Sequence, residues 1–297
     1  MMENYEDIFV TKAQHQVDAP KNQLFDTEDF SARKTQEREA LYALVDQTIS
    51  GITADSSAFQ SYLDVQCHFD RYSVANTALI LAQMPQATRL MSFEEWKAAG
   101  ARIQQGAKAI TILAPGKEYK RDDGSTGVYY NPKKVFDISH TDQEPAPPKT
   151  HSHRTLLHAL IERSPCYFAV SDDLTRSAMY DAESNTIYVR PGQDGNTYFR
   201  SVSHELAYML MERKGNEYTE PEFTAYCVSY MVCKRAGIAA DTFRFDQLPP
   251  SFHDMPQKEL RKVLNNMRTI AGDLIVDMNR TIHAQEKAPK QRNNDAR

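Results

Sequence analysis

The chain has 297 residues, 41% of them apolar and 25% charged, with a formal net charge of -5. That length predicts two packed units joined by a linker, and the mild acidity excludes a histone-like or polybasic protein while allowing a local basic face. No stretch reaches the roughly 20 apolar residues that a membrane span needs, and the opening MMENYEDIFVTKAQ lacks the apolar centre of a secretory signal, so a cytoplasmic protein with no membrane partner is expected.

Residues 1–58 hold eleven acids against five bases. The segment 1–34 is acidic, lacks sustained periodicity and is expected to be partly disordered. From Thr35 the run TQEREALYALVDQTI places Ala40, Leu41, Leu44, Val45 and Ile49 at helical spacing, which predicts an amphipathic helix ending near Gly51. Residues 59–139 reverse the charge balance, with ten bases against eight acids. AFQSYLDVQCHF and YSVANTALILAQM read as helices. SFEEWKAAG carries Ser92 and Glu95 at capping-box spacing. AITILAP reads as a strand, and GVYYNPKKVFDI as two short strands around a turn at Asn131 and Pro132. Between these, the polar DDGST turn is flanked by Lys117 to Arg121 and Tyr129 to Lys134, so a hairpin is expected to bring two basic and aromatic clusters together.

Residues 140–154, HTDQEPAPPKTHSHR, form the expected Pro-rich linker; His151 and His153 within it read as solvent-exposed. A second domain over 155–283 begins with the helix RTLLHALIERS. CYFAVSDD and NTIYVRPG follow as strands, then TYFRSVSHELAYMLMERKG and EPEFTAYCVSYMVCKRAG as helices, the latter with Pro221 near its start and Gly237 at its end. A long helix from KELRK onward buries Leu260, Val263, Leu264, Met267, Ile270, Leu274 and Met278 at helical spacing, and 284–297 is a polar tail. Cys67, Cys166, Cys227 and Cys233 are sparse and have apolar neighbours, which predicts reduced buried thiols and not a disulfide framework or a metal site. The expected fold class is α+β: a small α+β domain over 35–139, then a mainly helical domain with a short antiparallel sheet.

The sharpest chemical segment is Ser203-His204-Glu205-Leu206-Ala207-Tyr208. A zinc protease helix carries two histidines four residues apart, because those positions share a face and reach one ion, while the Glu between them polarises bound water. Here Tyr208 stands at the second position, and a phenol is a weak zinc ligand. A site of His204, Glu222 and Tyr208 with Glu205 as general base has two good ligands instead of three; Glu220 and Glu217 are rivals of Glu222. The same residues also read as polar neighbours of an apolar stripe of Val202, Leu206, Met209 and Leu210.

The run from Arg71 to Gly116 resembles the N-terminal single-stranded-DNA-binding domain of ArdC-type antirestriction proteins, which occur on plasmids and other conjugative elements. The resemblance is carried by the Tyr72 and Asn76 helix, LAQMPQAT, the Phe93 and Trp96 helix, Gly106-Ala107-Lys108 before a strand ending in Pro115, and Val135-Phe136-Asp137. The second half is similar to the zinc-metallopeptidase-like domains fused to that module, through the hairpin near Ala178 to Val189, the HELA segment at His204 to Ala207, and Glu222-x-x-Ala225-Tyr226. This resemblance implies Glu222 as the carboxylate ligand, and Tyr208 departs from it.

A single-strand site needs bases along phosphates and aromatic faces against nucleobases. The candidates are Arg71, Tyr72, Asn76, Trp96, Lys97, Arg102, Lys108, Lys120, Arg121, Tyr129, Lys133 and Lys134, with Arg89, Tyr119 and Tyr130 beside them. Trp96 reads either as core or as a stacking platform, and Asn76 either as a partner of a loop or as a nucleotide contact. The expected function is a mobile-element protein that binds and protects transferred single-stranded DNA, with an inactive peptidase-like domain offering a surface to a protein partner. The alternatives are a DNA-targeted zinc metallopeptidase and a protein-interaction scaffold.

Overall fold

The computed structural model describes residues 27–287 except 146, 148, 214, 216 and 217. Most of the acidic segment 1–34, the rival ligand Glu217 and most of the polar tail therefore lie outside the described residues. In chain order the elements are α1 (Thr27–Ile52), α2 (Ser56–His68), α3 (Val74–Gln83), β1 (Leu90–Met91), α4 (Phe93–Ala98), β2 (Ile110–Lys120), β3 (Thr126–Asp137), α5 (His153–Ile161), β4 (Tyr167–Val170), β5 (Ala178–Asp181), β6 (Thr186–Val189), α6 (Gly195–Arg213), α7 (Pro221–Ala236) and α8 (Gln257–Lys287). The class is α+β, as expected. No helix among the described residues is long and apolar enough to cross a membrane.

Local chemistry sets the helix ends. Asp55 and Ser73 cap α2 and α3 by accepting from backbone N–H groups. Ser92 and Glu95 form the expected capping box: the Ser92 N–H donates to the Glu95 carboxylate at 2.6 Å, and the Glu95 N–H donates to the Ser92 hydroxyl at 3.3 Å. Pro221 opens α7, and Gly237 closes it at φ +72°, donating to Cys233 and Lys234 carbonyls.

The first sheet has the order β1-β3-β2, all antiparallel. Its β2–β3 ribbon differs from the expected pair of short strands around Asn131 and Pro132: β3 runs unbroken through both, with Pro132 opposite Leu113. β1 reaches only Phe136 and Asp137, which leaves β3 one neighbour at Pro132, the edge setting in which a strand tolerates proline. The second sheet, β4-β6-β5, is mixed and not wholly antiparallel. β5 and β6 form the expected hairpin, whereas β4 pairs with β6 in parallel, because the 171–177 segment carries the chain to the hairpin's far edge before it turns.

From Leu41 onward the chain forms one compact unit. One apolar cluster joins Val45 and Ile49 of α1, Phe59 and Leu63 of α2, Leu79 of α3 and the buried faces of α5, α6, α7 and α8. Phe59 packs on Phe223 and Phe252, each with ring centroids 5.6 Å away. Across the same seam, Asp64 accepts from the Tyr230 hydroxyl at 2.5 Å and pairs with Lys234 at 2.8 Å. Two smaller clusters lie under the first sheet, one around Ile80, Ile110 and Val135, the other around Trp96, Ala101 and Ile138. All four cysteines are buried and free.

Candidate functional site

The β2–β3 ribbon leaves the core halfway along its length. Ile110, Ile112 and Leu113 are buried, whereas Pro115 to Glu118 are exposed and the pairing shifts by a bulge there. The turn closes with the Arg121 N–H donating to the Ser125 carbonyl and Gly124 at φ +79°. The expected hairpin is thus present. Tyr119 sits opposite Gly127, which puts it on the face of Tyr129, and the two rings pack with centroids 4.3 Å apart, 35° between planes. A Cβ on Gly127 would lie 2.4 Å from the Tyr119 ring, so the glycine gives the ring its seat. Tyr129 and Tyr130 are 49% and 44% exposed, which is unusual for large rings and leaves faces open for stacking. Lys117, Lys120 and Arg121 are exposed around them.

The other DNA candidates separate into two groups. Arg71, Lys97, Arg102, Lys108 and Lys134 are exposed, and Lys133 is half-exposed with Glu95 at 3.7 Å. Lys120 and Arg121 reach the hydroxyls of Thr126 and Ser125 across the turn. Trp96, by contrast, is fully buried and donates its indole N–H to the Phe136 carbonyl at 2.8 Å, with the Arg89 guanidinium 5.4 Å from its ring centroid. Asn76 is buried and pairs both ways with the Leu113 backbone, at 2.9 and 2.8 Å, tying α3 to β2. Tyr72 is half-buried against Phe69, and burial raises its phenol pKa. These three side chains hold the fold that presents the ribbon.

In the second region α6 and α7 lie side by side, locked where the buried hydroxyls of Ser203 and Ser229 meet at 2.7 Å. His204 Nε2 lies 3.6 Å from a Glu222 carboxylate oxygen, so the expected pair is brought together. Glu205 is 5% exposed and fully engaged. One oxygen accepts from the Arg176 guanidinium at 2.9 Å and approaches His204 Nδ1 at 3.2 Å; the other accepts from the Tyr180 N–H of β5 at 2.9 Å. Tyr208 is half-buried against the main core, and the rival Glu220 accepts from the Ser251 hydroxyl. A cavity of about 230 Å³ opens here, lined by Arg176, Arg200, His204, Glu205 and Tyr226 among others.

Among the described residues this donor set falls short of a zinc site. No three His, Cys, Asp or Glu side chains come together around one point there, so within those residues His204 and Glu222 have no third strong ligand of the kind that zinc sites require. Of the two guanidinium groups that line the same cavity, that of Arg176 is already paired with Glu205, and that of Arg200 adds a positive charge beside it. Arg176 had no signal in the sequence, because it comes from an irregular loop far from the HELA segment.

Residues 39–150 match the family described as the N-terminal domain of anti-restriction factor ArdC. An uncharacterized protein of Bacillus anthracis is 26% identical over 69% of this chain, and the chain spans 45% of that protein's length. The Mn(II)-bound crystal structure of the antirestriction ArdC protein from plasmid R388 shares the fold, with a TM-score of 0.51 at 16% identity over 81% of this chain and 97% of that one. The ribbon, the Trp96 helix and the Asn76 tie all lie within the span that matches the ArdC N-terminal domain, and it is this part of the chain that the family model describes.

Proposed function

We propose that this protein is a cytoplasmic single-stranded-DNA-binding protein of a mobile element, acting in antirestriction by covering transferred strands, and that its second region is a peptidase-like scaffold without hydrolytic activity. The family match over residues 39–150 supports the antirestriction role. The observation that carries the DNA reading is the Tyr119–Tyr129 pair on a ribbon that projects from the core, with Lys117, Lys120 and Arg121 at its tip. Rings take nucleobases and cations take phosphates, which is the chemistry a single strand offers and a duplex, with its bases stacked inside, does not. The division at 140–154 belongs to the same proposal as a division of roles within that one compact unit, the second region being available to a protein partner.

The scaffold reading rests on Glu205. A general base has to face a metal-bound water, yet both carboxylate oxygens here are already taken by the protein. Titrating a labelled oligothymidylate with the protein at several salt concentrations tests the DNA reading. Replacing Tyr119 and Tyr129 by Ala is expected to cost about 1–3 kcal/mol per stacked base while leaving the fold intact. Equal affinity for the matching duplex, or unchanged affinity in the double variant, would count against it.

A further inference from the structure

A crevice of about 770 Å³ lies away from both the ribbon tip and the His204 cavity. Four segments distant in sequence meet around it. The end of α2 brings His68, the loop before β1 brings Arg89, the chain before α5 brings Lys149 and His151, and the last turn of α7 brings Lys234 and Arg235. Among the described residues no carboxylate side chain lines it, and the remaining lining is apolar or neutral.

The charges are only partly compensated. Asp64 pairs with Lys234 at 2.8 Å and Glu286 with Lys149 at 3.3 Å, both from outside this lining. Arg89 holds its guanidinium over the Trp96 ring, 5.4 Å from the centroid, and a guanidinium is the cation that can meet a phosphate with two N–H groups at once. Arg235 makes no ion pair among the described residues and is exposed. Among the described residues two positive charges, those of Arg89 and Arg235, therefore stay without an ion pair before either histidine is counted. A concave wall with cations on every side and no acid concentrates anions and repels cations.

We infer that this crevice is a second nucleic-acid contact, taking phosphate groups of a strand's backbone, and this rests on the single-strand reading of the ribbon. Arg89 and Ile138 line the crevice and adjoin β1 and the end of β3, so the ribbon that carries the tyrosines at its far end leads back to it. Arg235, Lys149 and Arg89 neutralise phosphate here, while the ribbon supplies the stacking that the crevice lacks.

The test uses the full chain in two arms. Inorganic pyrophosphate is titrated while the imidazole C2–H resonances of His68 and His151 are followed by NMR, and a long labelled oligothymidylate is titrated at several salt concentrations. Pyrophosphate is expected to move both resonances. Arg235→Gln is expected to weaken pyrophosphate and oligonucleotide binding about tenfold each, and to reduce the salt slope by about 0.7 for each phosphate left unneutralised. Lys149→Gln, in an exposed loop, is a second variant with the same expectation, and circular dichroism checks that both fold. Resonances that stay still overturn the crevice as a phosphate site whatever the oligonucleotide does. Resonances that move while both variants bind oligothymidylate like the wild type overturn the strand assignment and point to a free phosphate-bearing ligand. The ribbon reading fails separately, by retention of oligonucleotide binding in the Tyr119 and Tyr129 variants.

Discussion

Replacing Glu205 by Gln separates a structural carboxylate from a catalytic one. The amide keeps the shape of the side chain but turns one acceptor into a donor. Whichever way it is placed, its NH2 faces either the Arg176 guanidinium or the Tyr180 N–H, each of which now donates to the carboxylate at 2.9 Å. One charge-assisted hydrogen bond is lost and a donor is left opposite a donor, at a cost of about 1.5–3 kcal/mol. Arg176 is 51% exposed, so water takes up its freed donors, and the expected loss is about 2 kcal/mol, below that of a fully buried pair. For a unit of this size that corresponds to a fall in Tm of about 4–8 °C. Urea unfolding is the assay: the midpoint should fall with the m-value unchanged. Arg176→Gln should also destabilise, and the double variant should lose less than the sum of the two. A Glu205→Gln variant within about 0.5 kcal/mol of the wild type would refute the argument, since a carboxylate so easily replaced is not the tie between α6 and β5 and is available for other chemistry.

Two further predictions concern groups shifted by their surroundings. Asp137 accepts N–H groups of Thr88, Arg89 and Ser139 at 2.7, 2.9 and 3.0 Å; burial raises its pKa, but these donors together outweigh it and hold the carboxyl below the usual carboxylate range. Because the folded value is the lower one, its contribution is complete above about pH 4 and is lost as pH falls through that folded value. Asp137→Asn should therefore lower stability at neutral pH and flatten the acid limb of a plot of Tm against pH; curves that run parallel to the wild type would show that Asp137 contributes none of that limb. Burial also pushes the Cys67 and Cys233 thiols up to about 12 and raises those of Cys166 and Cys227. With so little thiolate, alkylation near neutral pH should be slow until the protein is unfolded. Mass spectrometry of iodoacetamide-treated samples checks this, and native-state labelling of Cys67 at the unfolded rate would contradict it.

Much of the architecture was legible in the sequence because it is written locally. The α8 stripe, the Ser92–Glu95 box, Gly237 after α7 and the DDGST turn each lie within a few residues, and each is realised. The unbroken β3 was not legible, because whether proline ends a strand depends on the neighbour at that edge, and β1 is too short to be that neighbour. The parallel β4–β6 pair was hidden for a related reason: the β5–β6 turn announces itself, whereas β4's partner is set across a loop. At the sites, residue types foretold His204 beside Glu222 and the two halves of the tyrosine ribbon. For Trp96 and Asn76 they left the core and the nucleic-acid readings both open, and the structure gives both side chains to backbone carbonyl and amide groups. They did not reveal Arg176 on Glu205 or the basic crevice, which arise only where distant segments meet.

The central claim is that the projecting ribbon binds a single strand by stacking and phosphate neutralisation, and salt-dependent anisotropy of labelled oligothymidylate against the matching duplex tests it most directly. The account predicts a preference for the single strand, affinity that falls linearly in log–log plots against salt, and a weakening on replacing Tyr119 and Tyr129 that leaves the salt slope nearly unchanged, because rings carry no charge. Binding that is absent at low salt, or that favours duplex and ignores the tyrosines, would contradict it.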